Sequence, residues 1–324
     1  MGRGISYIKE NILFNLLGFF MFFSVVIPTY NGGSVWLESA KSIAAQSVKP
    51  NVVYVIDSSS KDNTVDIAES YGYKVKVIPS AFFNHGGTRN SAAKDLSESE
   101  VLIFMTQDAI LNSNDAFEKM LACFIDDENV AAVCGRQLPH DNANSLAIHA
   151  RFFNYPDKSE IKSKKDISNL GIKTAFMSNS FSAYRTRVFN ELGGFPDNTI
   201  LSEDMYLAAK IILAGYKIAY SSEACVRHSH NYTPLQEFKR YFDIGVFHAD
   251  NKFIMQCFGG AGGEGMKYVI SEIKYLLKHA PLLIPKSFCT IGMKFIGFKL
   301  GLSYRCLPKF MIRSFSMHKR FWDV

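Results

Sequence analysis

The sequence predicts an α/β fold: a mostly parallel sheet flanked by helices, with a helical extension at the C-terminal end. Three observations predict it. Apolar runs alternate with stretches of helical spacing from Phe23 to Cys134, the pattern of successive βαβ units. The runs are continuously apolar, as strands buried on both faces are. Most of the runs also end in a polar cluster, and open parallel sheets bind ligands beyond the carboxyl ends of their strands.

Phe23–Ile27 is the first strand and runs into the loop Pro28-Thr29-Tyr30-Asn31. Val35–Ser47 follows, with Trp36, Ala40, Ile43 and Ala44 at helical spacing. Val52–Ile56 is largely β-branched and ends at Asp57, the start of "DSSSKDNT". Thr64–Tyr71 is a short helix, Lys74–Ile78 a third strand, and Thr88–Leu96 a helix preceded by "FNHGG". Val101–Thr106 is a fourth strand ending in Gln107-Asp108, Phe117–Ile125 a helix, and Val130–Cys134 a fifth strand. The polar clusters thus gather at one edge of one sheet. Further on, Ser202 is placed to cap a helix with Glu203 and Asp204 in its first turn. Pro234–Phe258 reads as an aromatic-rich helix, Gly259–Gly263 as a flexible break, and the remainder as two or three helices.

With 324 residues, 48% of them hydrophobic, the chain can fill one large core or two small ones. Its net charge of +6 is uneven. From Lys267 to Val324 eleven lysines and arginines face two acids, whereas in residues 1–266 acids outnumber bases, 28 to 25. A basic tail interleaved with Phe, Leu, Ile and Trp suits an anionic lipid surface, and nucleic acid is not expected as a partner. An ordinary helical cap packed on the sheet is the plainer reading of the same residues. The six cysteines form no CxxC pair and read as reduced, mostly buried thiols of a cytosolic enzyme. Ile12–Pro28 is uncharged yet short for a membrane span, and no small-residue cleavage site is evident. Residues 1–20 are expected to be an extension before the domain proper, or a weak amphipathic anchor. The domain is then 21–258, with a basic amphipathic extension over 259–324.

A strand-end Asp such as Asp57 can accept a hydrogen bond from a base N–H or a ribose hydroxyl. Ser59 and Asp62 lie in the same loop, although capping of the next helix explains Asp62 equally well. In "FNHGGTRN", Gly86 and Gly87 permit a tight turn and a close backbone approach to a ligand. Thr88 then starts a helix whose amides favour an anion, with Arg89 and Asn90 just inside it. His85 is either a contact to a sugar hydroxyl or an inert turn residue. Asp108 can hold a divalent cation if its other ligands are oxygen or imidazole; alone it is also an ordinary turn residue. His228 and His230 face the same way on an extended chain and can approach one site. Glu203 and Asp204 are either acids favoured by the helix dipole or the source of a general base for an acceptor hydroxyl.

Taken in order, "FSVVIPTYN", "SIAAQSVKPNVVYVIDSSSKDNT", "TRN", "TQDA", "ELGGFPDN", "SEDMYLAAKIILAGYKIAY" and "VRHSH" resemble the family 2 inverting glycosyltransferases of the GT-A fold, over roughly Phe23 to Tyr232. "FNHGGTRN", "TQDA", "HSHNYT" and "SMHKRFW" resemble their bacterial rhamnosyltransferase branch. The resemblance implies a Rossmann-like sheet and transfer of L-rhamnose from dTDP-L-rhamnose to a hydroxyl of a lipid-linked cell-surface glycan such as O-antigen or capsule. Together with the basic, aromatic tail, this gives the expectation of a cytoplasmic enzyme held peripherally on the inner face of the membrane.

By the same resemblance, Pro28, Thr29, Tyr30 and Asn31 pack on the nucleotide, Asp57 reads the base with Ser59 and Asp62 nearby, and Arg89 lies near the donor with His85, Gly86, Gly87, Asn90 and Gln107. Asp108 matches the last acid of the family's DxD motif, whose first acid is replaced here by Thr106. The diphosphate and His228 then complete the shell of a Mg²⁺ or Mn²⁺ ion. Asp204 matches the catalytic base and Glu203 a supporting acid, while Gly193, Gly194, Phe195 and His230 fall on the acceptor side. Two rivals stay open: transfer of another hexose or N-acetylhexosamine from a UDP-sugar, and a non-catalytic nucleotide-sugar-binding subunit. A Rossmann dehydrogenase is excluded, because "PTYNGGS" stands where GxGxxG would follow the first strand.

Overall fold

In the computed structural model, which describes residues 21–125, 127–260 and 262–323, nine strands form one sheet. The expected extension over 1–20 lies outside the described residues. The strands are β1 (Phe23–Thr29), β2 (Val52–Asp57), β3 (Lys74–Val77), β4 (Val101–Met105), β5 (Ile110–Leu111), β6 (Val130–Leu138), β7 (Glu160–Lys162), β8 (Phe181–Arg185) and β9 (Lys217–Arg227). Their order is β3-β2-β1-β4-β8-β6-β9-β5, with β7 added along β9. β1 pairs in parallel with β2 and β4, β2 with β3, and β6 with β9. This is the parallel core that the apolar runs call for. β8 enters it antiparallel, between β4 and β6.

Successive residues of a central strand point to opposite faces, so a strand covered on both sides is apolar throughout. Val25, Ile27 and Ile103 face a layer containing Trp36 and Ile43 of helix α1 (Gly33–Ala44). Helix α2 (Thr64–Ser70) flanks β2 and β3 on this same side. Val26 and Phe104 face a second layer, with Ala92 of α3 (His85–Asp95), Tyr184, Phe189 and Phe195. The Phe104 ring centroid lies 5.1 Å from that of Phe195 and 5.7 Å from that of Tyr184. Each fully buried side chain of this kind contributes roughly 1.5–3 kcal/mol.

Strand direction decides what reaches the functional edge. β1 ends at Thr29, opposite Asp57 of β2. Because β8 runs antiparallel, its first residue, Phe181, pairs with Met105 at the end of β4, and Asn179 emerges there too. Gln137 near the end of β6 pairs with Val226 of β9, and Ile110 of β5 with Arg227. Asp108, Gln137, Asn179 and His228 therefore leave the sheet at one edge from segments far apart in sequence.

The C-terminal helices pack back onto other helices of the domain instead of trailing from it. Beyond α4 (Ser145–Asn154) and α5 (Glu203–Leu213), helix α6 (Pro234–Asp250) ends at Asn251, short of the predicted Phe258, and a separate turn of helix covers Lys252–Phe258. Helix α7 (Gly262–His279) begins inside the predicted glycine break, and α8 (Ile284–Leu302) crosses α6 at close range. A Cβ on Gly301 would stand 2.0 Å from the Phe242 carbonyl oxygen, and one on Gly297 2.3 Å from that of Phe238. Only glycine allows this approach. Lys294 of α8 meets Glu237 of α6 at 3.3 Å, both largely buried. The cysteines form no disulfide. Only Cys134 is buried, against the expectation of mostly buried thiols; Cys257, Cys289 and Cys306 sit on the outer faces of these helical segments.

Candidate active site

A cavity of about 1510 Å³ opens along the edge where the strands end. Ligand pockets usually measure roughly 300–1,000 Å³, so two ligands can lie side by side. Pro28, Thr29 and Tyr30 form one wall. Tyr30 is held by Gln107, whose side chain accepts from its N–H (2.7 Å) and donates to its carbonyl (3.1 Å). Asn31 and Asp62 latch the loop to its neighbour: Asn31 Oδ1 accepts from the Lys61 N–H, and Asp62 Oδ2 from the Gly33 N–H.

At the next corner, Asp108 Oδ2 lies 3.4 Å from His228 Nε2 and 3.7 Å from His230 Nε2. All three ligand atoms fall within 4.8 Å of one another. Gln137 fixes the tautomer. Its amide donates to Ser178 Oγ (2.8 Å), which leaves Oε1 as the acceptor for both Arg151 and His228 Nδ1 (2.9 Å). His228 thus carries a proton on Nδ1, and Nε2 is the nitrogen it presents to Asp108. Burial would raise the Asp108 carboxyl, but His228 beside it, through charge and hydrogen bond, outweighs burial and holds it well below the usual carboxylate range. Burial pushes His230 down to about 4, which keeps its ring neutral. One carboxylate and two imidazoles converging on one point suit a divalent cation, more so a borderline ion such as Mn²⁺ than Mg²⁺.

A second acidic corner lies at the start of α5. Ser202, at φ +60°, makes no side-chain cap here, contrary to the sequence expectation; the left-handed turn at Ser202 instead aims the two following acids inward. Glu203 is buried against Arg89, whose NH1 lies 3.2 Å from Glu203 Oε1 and also bonds the His85 carbonyl (2.9 Å). Asn179 ties the pair together: its side chain donates to Glu203 Oε1 (3.0 Å) and its backbone N–H to Asp204 Oδ2 (3.0 Å). Burial would raise Glu203, but Arg89 holds it low. Asp204 is pushed from its usual 3.8 to about 7, first by burial and then by the charge on Glu203. It lines the cavity; Glu203 stands behind it.

Comparison with known proteins decides what such an edge belongs to. A family model described as glycosyl transferase family 2 matches residues 24–193. A curated O-antigen chain rhamnosyltransferase, WbaN of Salmonella anatum, is 56% identical over 302 residues, 93% of this chain and 96% of that one. RfbN of Salmonella typhimurium, an O-antigen chain rhamnosyltransferase, is 56% identical over 301 residues, again 93% and 96%. The chain belongs to glycosyltransferase family 2. Its fold agrees: a mannosyltransferase from Pyrobaculum calidifontis, solved with GDP-mannose and Mn²⁺, superposes with a TM-score of 0.53 at 17% identity, over 93% of this chain and 84% of that one.

This glycosyltransferase brings Tyr30, Gln107, Asp108, Asp204, His228 and His230 to one cavity, with His85 and Arg89 beside them. His230, expected on the acceptor side, joins the cation corner. Other residues lie elsewhere than expected. Asp57 is fully buried, accepting from Thr29 Oγ1 (2.9 Å), Ser60 N–H (2.7 Å) and Ser60 Oγ (2.5 Å). It braces the loop, and Ser58, whose Oγ is buried without a partner, stands on the wall instead. Ser59 turns away at φ +62° and donates to the Ile78 carbonyl.

The helix after "FN" begins at His85, three residues before the expected Thr88, because Asn84 Oδ1 caps both Gly86 and Gly87 N–H. Gly86 faces protein, not ligand: a Cβ there would meet the Pro196 carbonyl oxygen at 2.0 Å. Asn90 bonds Phe195 N–H and C=O (2.9 and 2.8 Å), so Gly194 and Phe195 form a buried seam against α3; Gly193 is exposed beside it, and all three lie off the cavity wall. Asn179, Gln137 and the C-terminal His318 and Arg320 were not anticipated as site residues; only "SMHKRFW" carried any sequence signal.

Proposed function

We propose that the enzyme transfers L-rhamnose from dTDP-L-rhamnose, with inversion, to a hydroxyl of a lipid-linked O-antigen saccharide. The observation that carries this is the 56% identity, over nearly the whole chain, to two O-antigen chain rhamnosyltransferases. Asp204 is the base. With its carboxyl near 7 it takes the proton from the acceptor hydroxyl, whose oxygen attacks the anomeric carbon from the side opposite the diphosphate. The bond to the diphosphate breaks as the new glycosidic bond forms. Glu203, neutralised by Arg89, keeps Asp204 basic without competing for the proton. Thr29, Tyr30 and Ser58 line the nucleotide side. Asp108, His228 and His230 would hold Mn²⁺ or Mg²⁺, which when bound offsets charge on the departing diphosphate. The test is the purified enzyme with Mn²⁺, a lipid-linked saccharide acceptor and a panel of nucleotide sugars. Release of dTDP from dTDP-rhamnose is expected; turnover with UDP-sugars alone would sink the rhamnose assignment.

The lipid-linked acceptor and a peripheral position on the membrane draw support from the C-terminal helices. None of the described helices is long and apolar enough to cross a membrane. Met266, Ile270 and Leu277 of α7 and Phe288, Phe295 and Ile296 of α8 are nonetheless exposed, among the exposed Lys274, Lys278, Lys286 and Lys299. Such a face suits the boundary of an anionic bilayer. The cavity reaches the same helices at Phe295 and Lys299. The full chain should float with phosphatidylglycerol vesicles, and Lys274→Glu combined with Lys278→Glu should reduce that; equal flotation of the two counts against the surface.

A further inference from the structure

The diphosphate of a nucleotide-sugar donor carries two negative charges and gains a third as it leaves, one more than a divalent cation offsets, and the arginine expected to meet it is committed elsewhere. Arg89 is buried and paired with Glu203. The other cations on the cavity wall are also engaged. Arg151 bonds Gln137, Lys173 pairs with Glu264 and Lys294 with Glu237, while Arg240 is half-buried near Tyr241 and Glu237 and Lys299 lies over Phe295 on the helical face. Arg320 differs. It is exposed, unlike the other arginines of the wall, lines the cavity and, like Arg151, Arg240 and Lys299, has no carboxylate within ion-pair distance among the described residues.

We propose that Arg320, delivered by the C-terminal segment, binds the diphosphate of the nucleotide donor. Its guanidinium carbon lies 5.9 Å from the centroid of the Tyr30 ring. Tyr30 is fixed by Gln107, the residue before Asp108, so Arg320 stands on the strip of wall next to the cation corner. The segment that carries it is anchored. Asp243 of α6, itself fully buried, accepts from the backbone N–H groups of Met317 (2.9 Å) and His318 (3.1 Å). Phe315 packs edge-on to Phe238 and Phe242, and Phe321 and Trp322 join the core. The His318 ring meets that of His85 at 5.0 Å. "SMHKRFW" is thus a latch, a cation and an apolar anchor in succession. A guanidinium fork matches phosphate oxygens bidentately, which no lysine can do.

This rests on the reading that the cleft takes a nucleotide sugar, and the test separates the two. Calorimetry with Mn²⁺ would compare wild type, Arg320→Ala and Arg320→Lys for dTDP and, by competition, for uncharged thymidine. Arg320→Ala should weaken dTDP about tenfold or more, as loss of a charge-assisted hydrogen bond does, leave thymidine unchanged, and be partly rescued by Arg320→Lys. Unchanged dTDP affinity, or an equal loss for dTDP and thymidine, overturns the assignment. If wild type binds UDP or GDP in place of dTDP, the rhamnose reading falls. Arg320 is then judged by the same comparison on that diphosphate and its nucleoside. Failure of wild type to bind any nucleoside diphosphate takes down both.

Discussion

Asp108, just past the end of β4, and Asp204, in the first turn of α5, are carboxylates on the rim of one cavity, and their surroundings drive them in opposite directions. Around Asp108 stand two imidazoles and no second acid within the cluster, so the carboxylate stays ionised at any working pH. Beside Asp204 stands another acid, and the one arginine present is spent on that acid. Asp204 is left to bear burial and repulsion, and rises to about 7. The difference lies in the neighbouring charges, since the residue type is the same. It teaches that the two corners are not interchangeable in the proposed mechanism: a group that titrates near 7 suits a base, and one held ionised suits a cation ligand.

The largest effect should come from breaking the base. Asp204→Asn should lower transfer about 10²–10⁴-fold and leave donor affinity intact; near-normal turnover would end the assignment. In wild type the rate should rise with pH through about 7, because Asp204 acts only when deprotonated. Stability should move the other way. A carboxyl raised in the folded state is destabilising once the unfolded chain ionises, so stability falls as pH rises from about 4 to about 7. Asp204→Asn should therefore melt a few degrees above wild type at pH 8 and match it near pH 4, by calorimetry.

The cation corner should respond less and differently. Asp108→Ala should cost about a hundredfold in transfer, and donor binding should no longer tighten on adding Mn²⁺. The acid limb of the pH profile should not move. Smallest is Gln137→Leu, which touches no ligand directly. It should weaken cation affinity about 10- to 100-fold through loss of the His228 tautomer lock, with kcat recovered at saturating Mn²⁺. A Gln137 variant that instead moved the pH profile would show the two corners to be coupled.

The strands were legible because burial on both faces writes itself as continuous apolar runs, and Asp108, Asp204 and the two histidines because they follow strand ends or a helix start. Asn179 and Gln137 were not, since what matters is their cross-sheet neighbours, and β8 brings Asn179 to the edge only by running antiparallel. "FNHGGTRN" misled for a physical reason. Two glycines suggest a turn open to ligand, but the space at Gly86 is filled by the Pro196 carbonyl, and Gly87 faces Asn84 and Asp197. Asp57 likewise looks available in a sequence and is consumed by Thr29 and Ser60 in three dimensions.

The glycine crossing of α6 and α8 has a bearing on how this enzyme can be engineered. Its exposed apolar helices invite trimming from Gly259 onward to improve handling. Such a cut would strip the ridge on which Phe238 and Phe242 expose their carbonyls, leave Glu237 without Lys294, and remove the segment that Asp243 holds beside Tyr30. A shortened protein would be damaged in its scaffold and its donor cleft at once. Solubility is better sought by exchanging a single outward side chain off the cavity, such as Phe288, with the helical end kept whole.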